Sequence, residues 1–236
     1  MDATRKTARL AGLLYLVSSI PGVFALLYVP GKLVVRGDAT ATADRIRASE
    51  TLLRAGIAAE LLGTILFVFV ALVLYRLFKP VNERAALAMM VLIMLSFPIS
   101  LLNVLNEIAA LNFAGVGRVA GVLSVLDGRQ RDALAYLSLH LHSQGIVVVA
   151  QVLWGLWLFP FGICVMQSGF IPRILGILLM IAGCGYVAAS FAELVLPQYA
   201  NAVGQVTRIL TAAELPIIFW LLIWGAKPQR ISAPGL

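Results

Sequence analysis

Charge is what this sequence has least of. Of its 236 residues 12% are charged and 61% are hydrophobic, whereas a soluble domain carries roughly 25% charged and about 45–50% apolar residues. That balance excludes an ordinary soluble domain. Cysteine is nearly absent too: Cys164 and Cys184 both sit inside apolar runs. They read as small packing residues, not as a disulfide framework or a thiolate clip for a metal. No CxxC, HExxH or GxGxxG pattern occurs, so redox-thiol, zincin and dinucleotide chemistry lack their usual marks. Acidic residues are outnumbered 11 to 18, giving a net charge of +7. The bases lie between apolar runs instead of gathering in one patch, which fits lipid headgroups and not nucleic acid.

What is abundant is hydrocarbon. The mean hydropathy is +0.96, and a bilayer core needs about 20 apolar residues of helix. Six stretches meet that length: 8–29, 51–78, 85–111, 134–167, 173–196 and 204–224. The expectation is an all-α polytopic transmembrane bundle, one integral-membrane domain over 1–236. The second and fourth stretches exceed one crossing and must tilt or protrude. Breakers stand between the runs at Pro30-Gly31, Lys79-Pro80-Val81-Asn82, Asp127-Gly128, Gln167-Ser168-Gly169 and Leu196-Pro197-Gln198. Residues 38–50 read as a short amphipathic helix capped by Asp38 or Thr42, with Ile46 turned away from Arg45 and Arg47. Residues 112–132 form the other sizeable loop.

The first apolar run follows Arg5, Lys6 and Arg9, and Ala39-Thr40-Ala41 resembles a signal-peptidase site. At about 20 residues it is longer than the typical h-region of about 7–15, so a retained first helix is expected. Six crossings put both termini on one side. The same-side bases (Arg5, Lys6, Arg9, Arg76, Lys79, Arg84, Arg173, Lys227, Arg230) number nine, against eight opposite (Lys32, Arg36, Arg45, Arg47, Arg54, Arg118, Arg129, Arg131). The count decides nothing. The same-side set is tied to short connections, where the positive-inside rule acts most strongly, and this points to cytoplasmic termini in a bacterial inner membrane.

One phrase occurs twice. Arg54-Ala-Gly-Ile-Ala-Ala-Glu-Leu61 returns as Arg208-Ile-Leu-Thr-Ala-Ala-Glu-Leu215, and each copy drops a carboxylate into an apolar run. The segments before them also match, Arg9-Leu-Ala-Gly-Leu-Leu-Tyr-Leu-Val17 with Arg173-Ile-Leu-Gly-Ile-Leu-Leu-Met-Ile181. The pattern suggests a parallel repeat of helices 1–2 and 5–6 about a membrane-normal axis.

An ionisable group at the centre of a membrane helix costs about 2.5–3.5 kcal/mol on insertion scales, so it normally faces the bundle interior or a wet cavity. Nearly every strongly polar residue of the six spans falls in the half of the bilayer opposite the termini. Ser96, Ser100, Asn103 and Glu107 follow i, i+4, i+7, i+11, a single stripe on helix 3. On helix 4, His140, Gln144 and Gln151 share a face, and His142 points about 200° from His140, so a straight helix aims only one of them at a given ion. On helix 6, Thr207, Thr211 and Glu214 share a face, with Arg208 off it. Trp154, Trp157, Trp220 and Trp224 read as packing or interface residues. Pro98, Pro160 and Pro216 each free a backbone carbonyl, Pro216 next to Glu214.

Gln167-Ser-Gly-Phe-Ile-Pro-Arg-Ile-Leu-Gly-Ile-Leu-Leu-Met-Ile-Ala-Gly-Cys-Gly-Tyr186 resembles the hallmark segment of a bacterial membrane family catalogued as domain of unknown function 4386. His142-Ser-Gln-Gly145 is similar to its histidine-containing start of helix 4, and Ser49-Glu-Thr-Leu-Leu-Arg-Ala-Gly56 to its approach to helix 2. The resemblance covers nearly the whole chain. It implies a polytopic inner-membrane protein and brings no activity, substrate or cofactor. Where it leads one to expect a second histidine in helix 4, this chain has Trp157.

The leading expectation is therefore a membrane protein whose outer-half polar pocket binds or translocates a small ligand, ion or lipid. Its ligand-binding residues would be Glu60, Asn103, Glu107, His142, Gln151 and Glu214. No residue is assigned to a metal, because a second well-phased histidine is lacking, and the sequence names no cofactor. The runner-up is an intramembrane metal-dependent enzyme using His142 or His140 with carboxylates; a third reading is a structural or regulatory subunit. The expected partners are the bilayer and that ligand, with no nucleic acid and with oligomers left open.

Overall fold

A computed structural model describes residues 3–117 and 124–226. Arg118, Lys227 and Arg230, which entered the charge comparison, lie outside the described residues. The fold is all-helical, and no strand occurs among the described residues. Among the described residues seven helices follow in chain order. They are α1 (Ala3–Leu33), α2 (Ala39–Ala48), α3 (Glu50–Phe78), α4 (Glu83–Phe113), α5 (Gly128–Ser168), α6 (Arg173–Val195) and α7 (Pro197–Ile223). All but α2 are long and apolar enough to cross a membrane. Even α6, the shortest of the six at 23 residues, reaches about 35 Å at about 1.5 Å per residue, against a hydrocarbon core of about 30 Å.

The helices begin and end where backbone chemistry requires. Asp38 caps α2, its carboxylate accepting from the Ala41 amide at 2.8 Å. Asn82 caps α4 through the Ala85 amide at 3.0 Å. Asp127 and Gln130 form a reciprocal capping box on α5, so the loop expected over 112–132 is shorter at both ends. Gly169 closes α5 with φ +69°, a left-handed turn that glycine adopts without a Cβ penalty. Lys79, in the turn before α4, lies 3.3 Å from Glu83, whose hydrogen bond and charge raise its ammonium above the usual lysine range.

The chain forms two compact units. The first comprises Met1–Leu16, Phe67–Leu95 and Gln151–Leu236; the second comprises Val17–Leu66 and Ser96–Ala150. In the first, a large apolar cluster includes Leu74, Phe78, Met89, Leu158, Phe161, Leu179 and Leu221. Helices α5 and α6 approach there at glycine: a Cβ on Gly155 would stand 2.8 Å from the Gly183 carbonyl oxygen. Small residues that admit close backbone contact are how membrane helices gain packing without a hydrophobic drive.

In the second unit a smaller cluster joins Val29, Leu33, Ile46, Leu53, Ala110, Leu111 and Ala135. Ile46 is fully buried while Arg45 and Arg47 are exposed, as the amphipathic pattern of α2 predicts. Arg47 pairs with Asp132 on α5 and donates to the Ala114 carbonyl at 3.1 Å. Large aliphatic side chains face outward along the spans, Leu27 at 69%, Leu102 at 66% and Ile209 at 76% exposure. Such a surface is intolerable in water and ordinary against lipid.

Candidate functional site

A carboxylate within an apolar helix must face protein or water, and in the second unit two of them face protein. Glu60 on α3 is 5% exposed and Glu107 on α4 is 1% exposed. The stripe predicted on α4 is real: Ser96, Ser100, Asn103 and Glu107 are all buried, while Leu95, Leu102 and Leu105 of the same helix face outward. On α5, His142 is buried and His140 is exposed, as 100° per residue dictates.

Three side chains from three helices converge. His142 Nε2 stands 3.0 Å from Glu60 Oε2 and 4.0 Å from Glu107 Oε2. One ligand atom from each of the three lies within 4.8 Å of the others. Glu60 Oε1 and Glu107 Oε2 have no hydrogen-bond partner among the described residues. Two ionised carboxylates against one imidazole would leave a negative charge even with the histidine protonated. A buried like-charged pair is unfavourable unless a proton or a cation joins it.

The histidine is held from its backbone. Asn103 Nδ2 donates to the His142 carbonyl at 2.8 Å, and Asn106 Nδ2 donates to Asn103 Oδ1 at 3.0 Å. Directly afterwards α5 widens into a π turn over Gly145–Ala150, a feature that recurs at functional sites. Gly145 is required for this approach, because a Cβ there would stand 2.2 Å from Asn103 Oδ1. The wide turn also rephases the helix. The common face expected for His140, Gln144 and Gln151 assumes an unbroken α-helix, and the turn falls between Gln144 and Gln151. Gln151 is half-buried and opens the stretch of α5 that belongs to the first unit.

Glu214 also belongs to the first unit. Helix α7 tightens into a 3₁₀ turn over Ala212–Glu214 and resumes at Leu215–Ile223, with Pro216 in its first turn. The Glu214 carboxylate accepts from the hydroxyls of Tyr15 and Tyr186. The Tyr15 ring meets Phe67 edge-on at 5.4 Å and lies 6.1 Å from Trp157. Trp157 is buried and stacks on Phe161 at 5.2 Å, so the residue standing in place of an expected histidine packs the core. Thus Glu60, Asn103, Glu107 and His142 share one unit, and Gln151 and Glu214 belong to the other. Glu193 is half-buried and Arg208 exposed.

Sequence reasoning missed both tyrosines, because they vanish into apolar runs. The signal was a rule, not a motif: a carboxylate in hydrocarbon requires hydroxyl, amide or cationic donors.

The family described as domain of unknown function (DUF4386) matches residues 10–225. An uncharacterized protein of Archaeoglobus fulgidus is similar, with 28% identity over 171 residues, covering 72% of this chain and 84% of that protein. No solved structure matches. This chain belongs to the DUF4386 family and is a multi-pass membrane protein with six apolar helices.

Proposed function

We propose that the protein binds a small cation within its helical bundle, at Glu60, Glu107 and His142. The single observation carrying this reading is the convergence of one ligand atom from each of the three buried side chains within 4.8 Å. That spacing suits one ion and is too tight for a metabolite or a lipid headgroup to enter between the groups. Excess negative charge supplies the attraction, and burial magnifies it. Intramembrane ionisable groups are expensive to keep, and they commonly mark ion or proton pathways.

The location that accompanies this reading is the inner (plasma) membrane, with both termini cytoplasmic. It rests on the bases at Arg76, Lys79, Arg84 and Arg173, all beside short connections between spans. Binding and translocation share the same site, and the cation is its first requirement.

The test is thermal unfolding of the protein in lipid nanodiscs across series of pH, sodium and divalent cations. At least one series stabilises the wild type, and Glu60→Gln with Glu107→Gln removes that response. A double variant that folds and responds as the wild type does would show the cluster to be an interhelical brace only.

A further inference from the structure

We infer that the cation at Glu60, Glu107 and His142 is a divalent first-row transition metal, held by one imidazole nitrogen and two carboxylates. This rests on the cation-binding reading above and narrows it to a metal class.

Donor chemistry makes the first selection. Imidazole suits zinc, iron, copper and nickel, whereas calcium takes six to eight oxygen ligands and magnesium keeps several waters. Only one of the three donors here is nitrogen, but His142 Nε2 stands 3.0 Å from one carboxylate and 4.0 Å from the other. A site intended for a hard cation would have oxygen in that place.

Spacing makes the second. Ligand atoms about 2.0–2.2 Å from one ion lie about 2.8–3.6 Å apart for right-angle to tetrahedral arrangements. The 3.0 Å separation of Nε2 from Glu60 lies within that range, and the 4.0 Å separation from Glu107, with all three ligand atoms within 4.8 Å of one another, requires the side chains to draw inward around an ion. Glu60 Oε1 and Glu107 Oε2, both buried and without hydrogen-bond partners among the described residues, supply free lone pairs.

Charge makes the third. Two carboxylates with neutral imidazole carry −2, which a divalent ion cancels. A monovalent ion leaves a net buried charge, costly in hydrocarbon. Three protein ligands leave at least one coordination position for water or another small ligand.

Support for the ligands comes from outside them. Asn103 fixes the His142 backbone, and Gly145 lets it do so. Asn103 is therefore a positioning residue. Binding also needs a free lone pair on Nε2: the proton between His142 Nε2 and Glu60 moves to Nδ1, leaving neutral imidazole, or to solvent.

The test uses the full chain in nanodiscs, stripped with a chelator and dialysed against Co2+ and then Zn2+. One equivalent of either binds, and the Co2+ visible spectrum shows low-symmetry nitrogen and oxygen coordination with no thiolate charge transfer. Glu60→Gln, Glu107→Gln and His142→Ala each weaken binding by more than the roughly 10–100-fold that loss of an outer partner costs. Asn103→Ala falls within that range. Cys184→Ser, which removes an exposed thiol, leaves the stoichiometry at one.

Absence of divalent binding overturns the metal assignment. If pH or sodium still stabilises the wild type but not Glu60→Gln, the cation reading survives that loss; if neither does, both fall. Binding that persists in all three ligand variants places the metal elsewhere. Should those variants not fold, the wild-type stoichiometry and Co2+ spectrum decide alone.

Discussion

Glu60 and Glu214 are the same residue of the same phrase, Ala-Ala-Glu-Leu with an arginine six positions before the glutamate, and the structure gives them opposite company. Glu60 sits in unbroken helix, facing a histidine and a second carboxylate, with one oxygen unpartnered. Glu214 sits in a tightened turn before a proline and receives two phenolic hydroxyls. The first cluster sets two carboxyl groups against a single imidazole, with oxygens left unpartnered among the described residues; the second matches its acceptor with donors. A local sequence repeat thus puts a carboxylate into an apolar helix and specifies no more than that. Its neighbours on other helices decide whether it seeks a ligand or braces the fold.

Four substitutions, with Glu214→Gln as the control for the first, break or sharpen that contrast. The largest effect belongs to Glu60→Gln. A ligand at a hundred times its Kd stabilises the folded state by about 2.7 kcal/mol. That increment disappears in Glu60→Gln and persists in Glu214→Gln, read as cation-dependent thermal shifts. The next is Tyr15→Phe, which removes a donor to the Glu214 carboxylate and destabilises by about 1.5–3 kcal/mol. Denaturation at fixed cation concentration measures this, and cation affinity stays at the wild-type value.

Gly145→Ala follows. It pushes a methyl against Asn103 and carries an overpacking cost of about 1–3 kcal/mol. Unlike Tyr15→Phe it also weakens cation binding, because Asn103 holds the backbone of His142. A titration of both variants separates them. The smallest is Arg54→Ala. Arg54 pairs with Glu50 at 2.6 Å across half-exposed side chains, and such pairs contribute about 0.2–1 kcal/mol, less at high salt. Unfolding at two ionic strengths shows whether that difference shrinks.

Periodicity alone made much of this legible. The stripe Ser96, Ser100, Asn103 and Glu107 reads off α4 as one face, and the opposed directions of His140 and His142 follow from helical geometry. The insertion cost singled out Glu60 and Glu214 before any coordinates. Contacts between helices were not legible, since His142 meets Glu60 across 82 residues and Tyr15 meets Glu214 across 199. No pattern along one helix encodes which face its partner presents. The π turn at Gly145–Ala150 was hidden for a related reason: its glycine answers to Asn103 on another helix, not to its own sequence neighbours. Six residues of like polarity therefore read as one group, although they divide between two units.

The most direct measurement of the central claim is the stoichiometry of cation binding to wild type, Glu60→Gln and Glu214→Gln, side by side in nanodiscs. One equivalent, none and one is the predicted result. Retention by Glu60→Gln, or loss by Glu214→Gln, would contradict it.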